Sequence, residues 1–236
     1  AGGKWELEKE LTFELFCDTI ECMQEKKSVG AGGFSIELIK GAGLQVKRAC
    51  YNALMADVRE LMSTGRKPVN WGKVLYVLLE KPYPNDPEIA GDRREIALMP
   101  QELKLLLRMV RTACHDRISA RMLSVQMGWL AGYGHQEPAM ASTFVVQQQV
   151  RLKGEIWMFY GDLMTFFSKV HRKIGTMSSA LVGLPEEVRR LVLLIYGKSE
   201  FGQAAKCQFD SEAGLSDEFE NWMGWLMGCV LSPAQA

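Results

Sequence analysis

The chain has 236 residues, 47% hydrophobic and 24% charged, the usage of an ordinary globular protein long enough for one large domain or two small ones. No apolar run approaches the roughly 20 residues that a membrane-spanning helix needs, and the opening AGGKWELEKE lacks the cationic-then-apolar order of a signal peptide. Lys plus Arg and Asp plus Glu are both 28, so the basic excess of most nucleic-acid binders is missing.

Any nucleic-acid role must therefore rest on local clusters. RKP at 66–68, DRR at 92–94 and HRK at 171–173 are the available ones, and short clusters of this kind usually form solvated faces. The six cysteines contain no C-x-x-C pair, which argues against zinc and against a disulfide framework and suits a reducing, intracellular compartment.

In chain order, WELEKELTFELFCDTIECMQEKK spaces Leu7, Leu11, Leu15 and Ile20 for one helix face. KKSVGAGGF breaks it, because Gly30, Gly32 and Gly33 suit a turn. LQVKRACYNALMADVRELMSTG reads as a second amphipathic helix, closed by Gly65. VLYVLL is a short apolar strand stopped by Lys81-Pro82, and PQELKLLLRMVRTACHDRISARML is a long helix opened by Pro100. HQEPAMASTFVVQQQVRLKG is another helix, entered through Pro138, and IWMFYGD reads as a strand. LPEEVRRLVLLIYG is a helix with acids in its first turn, and AAKCQFD and the segment near 224–231 read as short strands. The pattern is α+β and mostly helical, without the alternation of a doubly wound sheet.

Several chemistries are excluded. KSVGAGGF has no following G-K-[ST] and does not follow a strand, so it is no Walker A loop. No G-x-S-x-G elbow is present. The three histidines, His115, His135 and His171, are far apart, and nothing in their spacing promotes a His–Cys nucleophilic pair. In FYGDLMTFFSKV, Asp162 stands where a strand gives way to a helix. A helix N-cap and a metal ligand at a sheet edge are both open readings of that acid.

The order of the segments carries more. KSVGAGGFSIELIK, NWGKVLYVLLEKP, DRREIALMPQELKLLLRMVRTACHDRI, QMGWLAGYGH, FYGDLMTFFSKV and GWLMGCVLSP follow one another over roughly residues 25–233. That succession resembles the fingers and palm of reverse transcriptases of the non-LTR retrotransposon and group II intron type. In that family the blocks read K-S-P-G-x-D-G, an apolar strand ending I-P-K, R-P-I-S-L before a long helix, Q-x-G-F, F-x-D-x-x-x-A-F-D and G-x-x-Q-G-x-x-L-S-P.

The resemblance implies a right-hand polymerase fold, helix-rich with short antiparallel sheets. It divides the chain into an N-terminal helix at 1–26, a fingers-like region with the fingers–palm junction at 27–155, and a partial palm at 156–236. Asp162 matches the first catalytic aspartate, which with a later one holds two Mg²⁺ ions that activate a primer hydroxyl, and the Leu163 carbonyl matches a second oxygen donor. Phe167 matches the aromatic under the nucleotide sugar, and Lys81 and Arg94 match the cations that grip the triphosphate. Gln126 and Gly128 match the Q-x-G of the fingers–palm junction, and Gly228 the glycine beside the template. Template–primer, dNTP and Mg²⁺ are the implied ligands of an active enzyme.

Departures point the other way. Met227 stands where the family has Gln, Leu226 where Arg often precedes it, and Ser168 at the second acid of A-F-D. Val29 and Gly32 stand where the family has proline and aspartate, and Glu95 sits beside Arg94 where the family has proline. The family's Tyr-x-Asp-Asp turn lies downstream of L-S-P, and no Asp-Asp dipeptide occurs in these residues. The expectation is a reverse-transcriptase-like fragment inactive alone and needing no cofactor. The alternative is a non-catalytic binding or scaffold subunit with the polymerase-derived fold, whose protein partner covers residues 219–236, where Trp222, Trp225, Leu226, Met227 and Val230 would lack cover. An unrelated helical adaptor is a third reading.

Overall fold

The computed structural model describes residues 5–27, 29–30, 35–80, 93–121, 134, 136–161, 169–197, 205–211, 214–221 and 224–226. The protein is α+β: eight helices and five strands among the described residues, with a small sheet. No helix among these residues is long and apolar enough to cross a membrane.

The expected N-terminal helix is two. Helix α1 (Leu7–Glu10) stops at Leu11, and α2 (Phe13–Cys22) restarts behind Thr12, whose side chain accepts the Leu15 N–H as an N-cap. The break costs the stripe nothing, since Leu7, Leu11 and Ile20 are all buried. Helix α3 (Ile36–Lys40) is short and packs on α2. Helix α4 (Leu44–Thr64) buries Leu54, Met55, Val58 and Leu61, and ends at Gly65 with φ 73°, the left-handed backbone that glycine adopts without a Cβ penalty. Gly30 is another such glycine: at φ 64°, an added Cβ would lie 2.5 Å from the Met99 carbonyl oxygen.

A 3₁₀ turn (Val69–Gly72) buries Trp71 and feeds β1 (Lys73–Glu80), which forms an antiparallel pair with β2 (Arg93–Leu98), from Leu75↔Leu98 to Glu80↔Arg93. Helix α5 (Gln101–Ser119) follows behind Pro100 and buries Leu103, Leu106, Leu107, Met109 and Val110 against α2 and the shared core. After α6 (Gln136–Arg151) come α7 (Arg172–Leu181) and α8 (Glu186–Tyr196), the latter packed on α4 and α7. Its first turn is tied to the N-terminus, where the Leu7 N–H donates to the Glu187 carboxylate at 2.7 Å.

Strand β3 (Ala205–Ser211) returns to the sheet beside β1, but parallel to it, from Lys73↔Lys206 to Val77↔Asp210. On its other edge β3 pairs antiparallel with β4 (Gly214–Leu215) and β5 (Phe219–Asn221). The sheet order is β2-β1-β3-β4, with β5 also on β3. Ser216 bridges the gap between β4 and β5: its N–H donates to the Phe209 carbonyl and its hydroxyl accepts the Phe209 N–H. Tyr76, Phe209 and Phe219 stack across the three strands with centroids 5.2–6.2 Å apart. One buried cluster runs from Trp5 to Leu226.

Three expectations are corrected. The sheet is mixed, not antiparallel, because β3 arrives by a crossover through the helices instead of a hairpin. Residues 156–161 are not a strand: they pair with no strand among the described residues and expose Trp157, Phe159 and Tyr160. Trp225 and Leu226 do not lack cover. Both are buried, and Trp225 packs edge-on against Tyr196 at 4.9 Å. Residues 224–226 form no strand, and Trp222, Met227 and Val230 lie outside the described residues.

Candidate functional site

Of the residues matched to polymerase roles, only Arg94 is placed. It sits on β2, the outer strand of the sheet on that side, opposite Leu79 and exposed to solvent. A side chain that is free to swing on an outer strand can reach a phosphate, but it has no fixed aim. Asp162, Leu163, Lys81, Phe167, Gln126, Gly128 and Gly228 all lie outside the described residues. Among the described residues, no three His, Cys, Asp or Glu side chains meet to hold a metal ion.

The most buried charge among the described residues is not one of those matched to a polymerase role. Arg172, in the HRK cluster expected to face solvent, is 4% exposed. Its guanidinium donates to the carbonyls of Gly224 (2.8 Å), Tyr196 (3.2 Å) and Gly197 (2.9 Å) and to Asn221 Oδ1 (3.0 Å), and lies 5.5 Å from the Tyr196 ring centroid. Lys67 Nζ donates to the neighbouring Ile195 carbonyl at 2.8 Å. Two cations thus close the C-terminal end of α8, where the last carbonyls have no partners within the helix and the dipole favours positive charge. Burial and the nearby Arg172 push the Lys67 ammonium down to about 8, and burial pushes the Cys207 thiol up to about 11 and the Tyr76 hydroxyl well above its ordinary range. Asn221 Nδ2 donates to the Tyr76 hydroxyl at 2.8 Å, which completes a network joining α7, α8, β1 and β5. The charged members are both cations, and they are engaged by main-chain carbonyls and an amide. This network clamps the fold.

One concave site among the described residues lies between α2 and α5. A cleft of about 630 Å³ is lined by Leu15, Asp18 and Thr19 of α2 and by Arg108, Arg111 and His115 of α5. That volume is in the range of small-molecule pockets. On α2 the spacing i, i+3, i+4 puts the three side chains on one face, and on α5 the spacing i, i+3, i+7 does the same. Lys104, one turn before Arg108, continues the α5 row. The Ser119 hydroxyl sits 3.5 Å from His115 Nε2 at the far end. The row is half-buried, and its alternation with Leu103, Leu106, Leu107 and Val110 is legible in the sequence.

No protein-family model matches the chain, and no characterised protein matches its sequence.

Proposed function

We propose that the chain is a reverse-transcriptase-like fragment of the non-LTR retrotransposon and group II intron type, which binds primer–template and dNTP. The observation that carries this reading is the succession of motif-like blocks in family order from residue 25 to 233. The β1–β2 pair is compatible with it: Arg94 is exposed on the outer strand, and Lys81 follows directly after the last residue of β1. Asp162 would hold Mg²⁺ with the Leu163 carbonyl, Phe167 would lie under the sugar, and Gln126, Gly128 and Gly228 would contact template or primer. Two-metal catalysis needs acids on both sides of the ion pair. These residues contain no Asp-Asp dipeptide, so the second set would come from outside them.

The deciding experiment has two parts. Fluorescence anisotropy with an RNA–DNA primer–template should show binding that Arg94→Ala weakens once dNTP and Mg²⁺ are added. Primer extension by the same protein should stay at background. Template-dependent extension that Asp162→Asn abolishes would establish that these residues suffice for catalysis, and no binding to primer–template at all would end the reading.

A second reading, a non-catalytic scaffold with the same fold, is favoured by one specific observation. Helix α6 buries no residue, and Phe144, Val150, Trp157, Phe159 and Tyr160 form an apolar run of exposed side chains along α6 and the segment after it. Surfaces of that kind mark protein contacts. The partner would then cover this region, since Trp225 and Leu226 are covered by the chain itself.

A further inference from the structure

Strand β1 has the sequence of a strand covered on both faces, but only one face is fully covered. VLYVLL at 74–79 is an unbroken apolar run, the pattern of a central strand packed above and below. Val74 and Tyr76 are buried in the shared core, with Ala97 of β2 and Cys207 of β3. The alternate residues stand on the opposite face, where the register sets Leu75 beside Leu98, Val77 beside Ile96 and Leu79 beside Arg94. Leu75, Val77, Ile96 and Leu98 are half-buried there, and Leu79 is 48% exposed. An apolar sheet face of this kind is one half of a packed layer, and the commonest other half is an amphipathic helix or a second sheet.

The charges at the two ends of the strip narrow the choice. Lys73 stands at one end, beside Lys206 of β3, and Arg94 stands at the other. Both are exposed and belong to no ion pair among the described residues, whereas Lys206 is held by Glu218 at 3.0 Å. From Lys73 to the level of Leu79 and Arg94 the strand rises about 20 Å, at about 3.3 Å per residue. A helix laid along the strip covers that span in about 13 residues. Acids in its first and last turns would meet the two cations, and leucines between them would cover the aliphatic strip. The same face carries Asp210 beside Val77 and Glu220 beside Lys206, both exposed, so acids halfway along the helix would be repelled.

A second copy of the face fits badly. Stacked in one sense it sets Lys73 against Lys73, and in the other it sets Lys73 against Arg94, cation on cation either way. A nucleic-acid strand would bring phosphates against Asp210 and Glu220 and leave the aliphatic strip uncovered.

We propose that the β1–β2 face is a docking surface for an amphipathic helix of a partner protein, apolar through its middle and acidic at both ends. It does not rest on the polymerase reading, with which it shares only Arg94.

The test is fluorescence anisotropy with two labelled synthetic peptides of about 15 residues, long enough to span the strip as a helix. Both carry leucines at helical spacing. One has glutamates in its first and last turns and the other has lysines. The titrations are run in EDTA without nucleotide, so that a failure of the polymerase reading leaves their outcome unchanged. The acidic peptide should bind, and the basic one should bind about tenfold or more weakly, because like charges set against each other cost affinity. Lys73→Glu, an exposed change, should erase that preference by weakening the acidic peptide and strengthening the basic one. Leu79→Asp, at the exposed end of the strip, should lose the acidic peptide with an unchanged thermal melt. A variant with Trp157→Ser and Phe159→Ser should bind it as wild type does. The proposal is overturned if the two peptides bind equally, if neither binds at millimolar concentration, or if Lys73→Glu keeps the wild-type preference. It is equally overturned if the Trp157 and Phe159 substitutions abolish binding, or if a single-stranded oligonucleotide displaces the acidic peptide.

Discussion

Arg172 is the residue on which the fold leans hardest for its size. Four of its acceptors are three main-chain carbonyls and one side-chain amide oxygen, from segments 24 to 52 residues away. Methionine would fill the volume and remove this donor from all four in a buried site. Arg172→Met should therefore cost about 3 kcal/mol or more, at the upper end for single substitutions. Arg172→Lys should recover little, because one ammonium cannot span the planar fork. Urea denaturation with fixed m-value reads both, and a loss below about 1 kcal/mol would show that water replaces the guanidinium. Lys67 gives a prediction in pH. Its folded-state proton affinity lies near 8 against 10.5 in the unfolded chain. Between those values the unfolded state holds the proton and the folded state has lost it, so this residue's contribution to stability rises with pH. The stability of wild type relative to Lys67→Met should rise from about pH 8 upward to the unfolded value. A difference flat across that window would mean that the ammonium stays solvated. Glu102 behaves with the opposite sign. Burial, then the charge of Asp57, raises its pKa, and its Oε2 is buried without a partner. At neutral pH the ionised carboxylate costs stability, and Glu102→Gln removes the charge. The variant should be more stable than wild type at pH 7, with the gain vanishing as the solution is acidified toward the carboxylate range.

At the scale of elements, α5 and α6 are the instructive pair. Both are long and both were legible from the sequence, α5 from Pro100 and a dense apolar stripe and α6 from Pro138 and its apolar positions. Yet α5 buries nine residues and α6 none. Leu106→Ala should cost about 2–5 kcal/mol as a core cavity, whereas Phe144→Ala should change stability by less than about 0.5 kcal/mol. A large loss at Phe144 in chemical denaturation would place α6 in the cooperative core. The contrast explains what sequence reading reaches. Periodicity reports which face of a helix is apolar, so α4, α5 and α8 emerged close to their observed bounds. It does not report whether another element arrives to cover that face. IWMFY is as apolar as VLYVLL, and the two are alike by composition, but only β1 found neighbours on both edges. Pairing is non-local: the parallel match of β1 to β3 spans some 130 positions of chain and leaves no trace in either segment. β4 and β5, two and three residues long, carry too few side chains for a pattern, and β2 is recognisable mainly through what it joins. The cation row on α5 was readable by spacing alone. The Arg172 clamp was not, because a basic triplet looks the same whether it meets water or three carbonyls.

At the scale of the whole molecule, the zero net charge removes long-range steering toward a polyanion and leaves function to local surfaces. It also removes the mutual repulsion that keeps copies apart, which matters beside an uncovered apolar run. Trp157 and Phe159 are 93% and 95% exposed, and Tyr160 stands next to them. Such side chains are no use to the fold: they touch little of it, and burying even one would remove well over 100 Å² of apolar surface from water. The protein should therefore self-associate as concentration rises, and a variant carrying Trp157→Ser, Phe159→Ser and Tyr160→Ser should not. Because those residues lie outside the core, the urea midpoint of the variant should match wild type. Sedimentation velocity over a range of concentrations separates the outcomes. A wild type that stays monomeric throughout would mean that the aromatic run is shielded in solution by the chain's own residues. A variant that associates as strongly as wild type would move the sticky surface elsewhere, to the outer strand β2 or the apolar positions of α6.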